Sequence, residues 1–315
     1  MVYRQYLLVA LAAAIFAAGC NTSQVSLPPP GSSHSAMPAV THMYLSINST
    51  TGSVQIYTVP VTSASVATGA IIGLNEPEEL FVDKTGRLFV PILGSASNTV
   101  QVYTTPATSA STPAFTLTTL STHPEETAED SSGNVYVAVT NSSTCCIEIF
   151  PGPVSSSVTA SSEVTANGVS PNGLGFPFGM GFDSSNNLYV SSTTSIIQYT
   201  QPISSTSTPA QNVTPNFDNF GLAVDSSNNI YVANATSDGT IDVFHQPFVS
   251  GTGTRAFGIT VAGTFLAGMA FDGSGNLWTV DSAGNVYEIA APITSASTAT
   301  KIITVAGAYG IAFGP

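Results

Sequence analysis

The chain has 315 residues, of which 7% are charged, and 18 acidic residues against five Lys and Arg give it a formal net charge of −13 at pH 7. So few basic side chains cannot neutralise a phosphate backbone, which excludes nucleic acid as a partner. Solubility must therefore come from the abundant Ser, Thr and Asn side chains.

Residues 1–19 are predicted to be a targeting segment. Arg4 is followed by an apolar run over residues 6–18, and Ala17–Gly19 precedes Cys20. The run is shorter than the roughly 20 apolar residues that cross a bilayer, which favours a secretory signal over a membrane span. The ending resembles the lipobox of bacterial lipoproteins, although alanine stands where these usually have leucine. The resemblance implies lipidation of Cys20; the alternative is an ordinary secreted protein with a coincidental cysteine.

Residues 20–40 are rich in Pro and Ser and are predicted to form an extended tether, because such a composition cannot bury a core. In lipoproteins of two-membrane bacteria, an asparagine after the cysteine, here Asn21, does not retain the protein in the inner membrane. The resemblance therefore implies a protein held in the cell envelope, at the outer membrane, by its N-terminal acyl chains.

Residues 41–315 repeat one unit. A short segment of alternating apolar residues precedes each of six prolines, which are spaced 45 to 49 residues apart: Pro60, Pro106, Pro153, Pro202, Pro247 and Pro292. Each proline is followed by a loop rich in Ser, Thr and Ala. Since proline cannot donate to a β-ladder, each is predicted to end a strand.

Upstream of these prolines lies a second repeated signature, an apolar run, an acidic residue, a polar turn and an aromatic strand. The acidic residues are Asp83, Asp130, Asp183, Asp225 and Asp272. The turns contain Gly and Asn, which tolerate positive φ and close hairpins, so each unit is predicted to hold four antiparallel strands. The aspartates are predicted to fix the hairpins by accepting backbone N–H bonds, with Asp281 and Asn234 also stabilising loops.

The two ends of the chain complete each other. Tyr309–Gly314 is the start of a unit that lacks its second half, and His42–Pro60 is a unit that lacks its start. Joined, they make a sixth unit with the C-terminal strand innermost, which removes free sheet edges. The sequence therefore predicts an all-β fold, a six-bladed β-propeller of four-stranded antiparallel blades.

The repeated Asp, polar turn and apolar-Tyr-Val pattern resembles the NHL repeat and the six-bladed group containing gluconolactonase-type hydrolases and streptogramin lyase. The resemblance covers nearly all of residues 41–315. It implies the fold, but it leaves the function open because this architecture hosts both binding proteins and enzymes.

Four glutamates interrupt the repeat. In register with the aspartates, Glu78, Glu79, Glu125 and Glu126 replace apolar residues or glycine where the innermost strands begin, which predicts a cluster at one mouth of the central channel with His123 close by. Four carboxylates with almost no basic partner would repel one another or recruit Ca²⁺ or another divalent cation. The alternative is a solvated acidic rim.

The gluconolactonase resemblance bears on the same residues. It implies that Glu78 or Glu125 would be a metal ligand, because in that family a glutamate entering an innermost strand ligates the metal. Asn219 and Asp218 lie near the places of the other ligands, but their register is uncertain.

Two other features stand out. Glu129 occupies a place that is Val or Phe in the other units, so it is either turned outward by a bulge or held as a functional or hydrogen-bonded buried acid. Cys145 and Cys146 are adjacent, and a bridge between neighbours is far from normal disulfide geometry. They are predicted to be packed thiols, with a redox switch as the alternative.

No motif for a nucleophile, a zinc helix or a phosphate loop is found in the sequence. The leading hypothesis is therefore a monomeric, envelope-anchored binding or scaffolding propeller without a catalytic set, whose partner is a protein, a glycan or a small molecule. The competing hypothesis is a divalent-metal-dependent, lactonase-like hydrolase or lyase acting at the carboxylate-lined mouth. A structural surface protein is a third.

Overall fold

The structure is a computed structural model that describes residues 39–94, 97–140, 145–165, 176–193, 195–214, 219–235, 239–250 and 255–315. The predicted signal segment, Cys20 and residues 20–38 of the predicted tether lie outside these ranges. The regular elements within them are all β-strands. Among these described residues, no helix is long and apolar enough to span a membrane.

The strands form six sheets, each built mainly from consecutive strands. The first blade comprises β1 (His42–Ile47), β2 (Gly52–Thr58), β3 (Gly69–Leu74) and β25 (Ala308–Gly314). The second comprises β4 (Phe81–Val82), β5 (Arg87–Ile92), β6 (Thr99–Thr104) and β7 (Phe115–Thr118), with β11 (Val158–Thr159) added in parallel. The third comprises β8 (Pro124–Glu129), β9 (Val135–Thr140), β10 (Cys145–Phe150) and β12 (Ser162–Thr165).

The other three blades follow the same order from inner to outer strand. The fourth comprises β13 (Pro177–Phe182), β14 (Leu188–Ser192), β15 (Ile196–Tyr199) and β16 (Gln211–Val213). The fifth comprises β17 (Asn219–Val224), β18 (Ile230–Asn234), β19 (Thr240–Phe244) and β20 (Phe257–Thr260). The sixth comprises β21 (Leu266–Phe271), β22 (Leu277–Asp281), β23 (Asn285–Ile289) and β24 (Ala299–Thr304).

The two ends of the repeat region close the ring. Strand β25 pairs antiparallel with β1, placing Leu45 opposite Ile311, and it is the innermost strand of its sheet. The Tyr44 hydroxyl adds a hydrogen bond to the Pro315 carbonyl at 2.7 Å. Each innermost strand packs against the next round the ring, from β25 through β4, β8, β13, β17 and β21 back to β25. The predicted six-bladed propeller and its mode of closure are therefore confirmed.

The core lies between the blades. The buried apolar residues form six clusters in the described part of the chain, one at each junction between neighbouring blades. At the closing junction, Met43 and Leu45 of the first blade pack with Trp278 and Val280 of the sixth. Burial of such side chains contributes about 1.5–3 kcal/mol each, which makes closure favourable at the last junction as at the others.

The repeated aspartates hold the inner hairpins as predicted. Asp225 Oδ1 accepts the backbone N–H groups of Ser227 and Asn229, and its Oδ2 accepts Asn229 Nδ2 and the Tyr231 hydroxyl. Asp130, Asp183 and Asp272 make the same bonds, with Trp278 in place of tyrosine for Asp272. Asp281 repeats the pattern in the next hairpin of its blade.

The repeated prolines follow cis peptide bonds in all six units. The loops after several of them cover the outer edge of the preceding blade. Ser109, Ser157 and Ser250 accept the backbone N–H groups of Ala70, Thr116 and Asn212 at 3.0–3.1 Å. These loops thus satisfy edge donors that would otherwise face solvent.

Candidate functional site

The innermost strands are distorted at the point where the repeat varies. In β8, β13, β17 and β21 the register with the second strand shifts over two residues, which is a β-bulge. These residues lie five and four positions before the repeated aspartate and include Glu125 and Glu126 in β8. Bulges re-aim side chains, and here they turn two rings of residues toward the axis at one end of the propeller.

The outer of these rings, called the mouth ring below, contains the residues five positions before the aspartate: Glu78, Glu125, Phe178, Phe220, Ala267 and Tyr309. Phe178 and Phe220 stack with centroids 4.1 Å apart and planes 14° apart. The Tyr309 ring meets Phe220 edge-on at 6.5 Å, across the small side chain of Ala267. The mouth ring therefore has a carboxyl side and an aromatic side.

Neutral groups hold the two mouth-ring carboxyls. Asn48 Nδ2 donates to Glu78, and the Thr140 hydroxyl donates to Glu125. The Tyr309 hydroxyl, beside Glu78, opposes the rise in the pKa of that carboxyl. Asn48 comes from the loop after β1 in the first blade, so Glu78 is held across a blade junction. Among the described residues, no Lys, Arg or His forms an ion pair with either carboxyl.

The inner ring, called the axial ring below, contains the residues four positions before the aspartate: Glu79, Glu126, Gly179, Gly221, Gly268 and Gly310. A Cβ on Gly221 would lie 2.2 Å from the Ala267 carbonyl oxygen, so the strands approach too closely here for a side chain. Glu79 and Glu126 instead extend into the axis. Glu126 Oε2 accepts the Met180 N–H at 2.8 Å, and Glu79 Oε2 lies beside Gly268.

The Glu79 carboxyl has no partner for one of its oxygens, since Oε1 is buried without a hydrogen bond. An unpartnered carboxylate oxygen in an apolar place is costly, so the carboxyl is most stable when it is protonated or when a ligand meets it. The Glu79 carboxyl, which lies next to the mouth ring in sequence, therefore has an unmet hydrogen-bond acceptor.

The glutamates are buried, with exposed fractions of 2% for Glu78, 6% for Glu79, 7% for Glu125 and 9% for Glu126. The alternative of a solvated acidic rim is therefore wrong. The reason is geometric: inner strands that approach closely enough to require glycine in four units also exclude water from the axis in the two units that carry glutamate.

Burial dominates the electrostatics of this cluster. It raises the pKa of Glu125 to about 7, with a smaller opposing effect from the hydrogen bond of Thr140. Burial, followed by the charges of Glu125 and Glu79, raises the pKa of Glu78 well above its usual value. Burial and the charges of Glu126 and Glu125 do the same for Glu79, and burial raises the pKa of Glu126. Burial and mutual repulsion therefore favour the protonated forms of these carboxyls, and a bound cation would favour the charged forms.

Within the described residues, the four glutamates do not bring ligand oxygens from three different residues within 4.8 Å of one another. In the described ranges, three potential metal-ligating atoms lie within 4.8 Å of one another at Cys146, Glu148 and Glu163, on the outer strands of the third blade. Glu148 there accepts the backbone N–H groups of Leu120 and Ser121, which explains its position without a metal. The metal role of Glu78, Glu79, Glu125 and Glu126 stays a prediction.

Glu129 is a buried acid with partners. Its carboxylate lies 3.5 Å from Arg87 Nη2 and 4.0 Å from Lys84 Nζ, both in the neighbouring second blade. Arg87 also bonds Asp83, so Glu129 belongs to a charged network at the end of the blades opposite the mouth. Its strand stays in register with Val135 at this point, and no local bulge turns Glu129 outward.

The other predicted residues fall in different places. Cys146 is buried and unpaired, and burial raises its thiol pKa well above the usual value; the side chain of Cys145 lies outside the described residues. His123 is half-buried two residues before Glu125, at the same end of the strand. Asn219 is buried and donates to the Ser192 carbonyl at 2.9 Å, while Asp218 lies outside the described residues.

Sequence reasoning missed the aromatic half of the mouth. Phe178, Phe220 and Tyr309 were in register with Glu78 and Glu125, but aromatic residues on strands are usually core residues. The available signal was their shared repeat position, because all side chains at one repeat position face the same part of a propeller.

No protein-family model matches the sequence, and no curated protein matches it. Solved structures do match. The periplasmic gluconolactonase of Pseudomonas aeruginosa is 14% identical with a TM-score of 0.62, over 88% of this chain and 99% of that one. A protein of unknown function from Bacteroides caccae is 12% identical with a TM-score of 0.60, over 87% and 99%.

A third match is the WD40 β-propeller domain of Doa1, which is 12% identical with a TM-score of 0.56 over 85% of this chain and 83% of that one. Identities this low show the fold alone, and they agree with the predicted propeller.

Proposed function

We propose that this protein is a ligand-binding propeller whose binding site is the mouth ring. The observation that carries the proposal is the joining of two buried carboxyls, Glu78 and Glu125, to three half-buried aromatic side chains, Phe178, Phe220 and Tyr309, around one opening. A concave site with a few convergent polar groups and perturbed pKa values beside apolar walls is the usual form of a small-molecule site.

The residues below the mouth ring favour a site in which a ligand is bound over a channel through which it passes. Below the mouth ring, the axial ring is closed by its glycine backbones and by the side chains of Glu79 and Glu126. A ligand would therefore enter from the mouth and stop there. The mouth residues also come from different blades, so they are held by the rigid body of the ring and not by one loop.

A substitution that fills the mouth tests this proposal. Ala267→Phe places a large side chain at the buried mouth-ring position between Phe220 and Tyr309, and in the folded variant it should abolish the thermal shifts that mouth ligands cause in a compound screen by scanning fluorimetry. The matched control is Thr300→Phe, an exposed position on the outer strand of the same blade. If every compound that stabilises the wild type stabilises Ala267→Phe equally, the mouth is not the site.

We further propose that the propeller is anchored in the bacterial cell envelope through Cys20. The chain enters β1 at His42, which pairs with Gly314 at the end opposite the mouth, and Val40 lies against Gly273 at that same end. Labelled palmitate should be incorporated into the wild type and not into Cys20→Ser; equal labelling of both proteins would refute the anchor.

The alternative of a metal-dependent hydrolase or lyase has a direct test as well. It requires Ca²⁺, Zn²⁺ or Mn²⁺ in the protein as purified, or a thermal shift when these ions are added. Loss of that shift in Glu78→Gln and Glu125→Gln would assign the ion to the mouth ring. Absence of bound metal and of any shift would remove this alternative.

A further inference from the structure

We propose that the mouth ring binds an organic ammonium group, the positively charged end of a slender molecule, between the carboxyls of Glu78 and Glu125 and the rings of Phe178, Phe220 and Tyr309. This inference rests on the proposed function, since it names the chemical class of ligand that the same site would take.

The first argument is the missing positive charge. Four carboxyl groups gather at the mouth and the axis, and within the described ranges the basic side chains that form ion pairs are all elsewhere. Arg87 and Lys84 pair with acids at the opposite end, and Arg255, just before β20, pairs at 2.7 Å with Asp242 of β19 in the fifth blade. The protein therefore offers these carboxyls neutral donors only, and a cationic ligand would supply what is lacking.

The second argument is the buried oxygen of Glu79. Its Oε1 is buried and accepts no hydrogen bond, and only 6% of the residue is exposed. A positive group seated in the mouth would meet this carboxyl from above. This observation is independent of the sequence pattern, and it indicates that the floor of the site is built to face a ligand.

The third argument is the aromatic wall. Aromatic faces attract cations within about 6 Å of the ring centroid, most strongly when both are removed from water. Stacking covers one face of Phe178 and one face of Phe220, so the aromatic surface left to a cation is the other face of each ring together with the ring of Tyr309. Carboxyls and aromatic faces both favour positive charge, whereas a neutral sugar would need donors that Asn48 and Thr140 already direct at the glutamates.

The net charge of the protein and the depth of the mouth site further restrict the class of ligand. A chain with a net charge of −13 attracts cations and repels phosphates or carboxylates. The closed axial ring limits the site to the end of a molecule, with the remainder outside. A hard metal ion would need six to eight oxygen ligands at about 2.3–2.6 Å. An ammonium group needs only nearby charge and rings, which the mouth ring provides.

The test compares choline with its uncharged carbon analogue, 3,3-dimethylbutan-1-ol, by calorimetric titration of the full chain. Choline should bind at one site, and the alcohol should bind at least about tenfold more weakly because it lacks the charge that both walls attract. Phe220→Leu and Glu78→Gln should each weaken choline binding by about fivefold or more. Phe257→Leu and Glu163→Gln, on outer strands of the fifth and third blades, should bind choline like the wild type.

Several results would overturn the inference. Equal binding of choline and the alcohol would show that charge is not recognised, and Ca²⁺ that displaces choline would identify a metal site instead. If choline fails to bind while a neutral compound binds and Ala267→Phe abolishes that binding, the ammonium inference is wrong and the mouth site stands. If no ligand is lost in Ala267→Phe, both are wrong.

Discussion

Replacing Glu125 by glutamine should stabilise the protein at alkaline pH and leave it nearly unchanged at acidic pH. Glutamine has the size of glutamate and keeps an oxygen that can accept the hydrogen bond of the Thr140 hydroxyl, so the packing of the mouth ring should persist. What changes is the charge, which the buried site resists.

The magnitude follows from the shift in the pKa. Burial raises the pKa of Glu125 from 4.5 to about 7. Below pH 4.5 the carboxyl is protonated in both the folded and the unfolded chain, so it costs nothing. As the pH rises toward 7, the unfolded chain loses its proton while the folded chain keeps it, and stability falls. With 1.36 kcal/mol for each pKa unit, the loss between pH 4 and pH 8 is about 3 kcal/mol.

The assay is urea unfolding of the wild type and Glu125→Gln at pH 4 and pH 8. The variant should exceed the wild type by about 3 kcal/mol at pH 8 and by a small fraction of that at pH 4, with the same m value at each pH. This difference is a large part of the total stability of a domain, which is about 5–15 kcal/mol. If the difference between the two proteins is the same at both pH values, Glu125 is not a desolvated acid, and the description of the mouth ring fails.

Three further substitutions test the fold around the site. Arg87→Leu removes the guanidinium that pairs with both Asp83 and Glu129 and should cost about 3 kcal/mol in urea unfolding. Glu129→Leu should restore part of this loss in the double variant, and no recovery would contradict the pairing. Gly221→Ala should lower the free energy of unfolding by about 3 kcal/mol, because its Cβ would lie 2.2 Å from a backbone oxygen. The control is Gly69→Ala, whose Cβ would have a serine hydroxyl at 3.1 Å as its nearest neighbour and which should cost less than about 1 kcal/mol. Equal costs would show that the inner strands are not tightly packed. Tyr44→Phe loses the bond to the Pro315 carbonyl and should lower the stability by about 1 kcal/mol, and an unchanged thermal midpoint would place the C-terminus elsewhere.

Much of the fold could be predicted because the repeat encodes it locally. The aspartate at positions such as 225, with its following turn, specifies each inner hairpin through bonds within seven residues. Leu45 and Ile311 could be placed together because each end of the repeat lacks what the other has. By contrast, the serine contacts between blades join residues distant in sequence, such as Ser109 and Ala70, so no local pattern shows them.

The character of the site was only partly predictable. Alignment of the units on their aspartates placed Glu78 and Glu125 together, but it did not show that their carboxyls are buried. The glycine at the axial ring position in four units already indicates a lack of space there. The partner of Glu129 also left a signal. Arg87 stands four residues after the aspartate, where the other units carry asparagine, and the unit that follows replaces an apolar residue by Glu129. Two departures in neighbouring units indicate a charge pair across the junction.

The most direct test of the closed ring, on which the position of the mouth depends, is hydrogen–deuterium exchange of the intact chain, followed by mass spectrometry of peptides that cover β25 and β1. A strand that is innermost in its sheet and hydrogen-bonded to β1 should be protected as strongly as β21, the corresponding strand of the sixth blade. Exchange of residues 308–314 within seconds, while β21 stays protected, would show an open ring without Tyr309 beside Glu78.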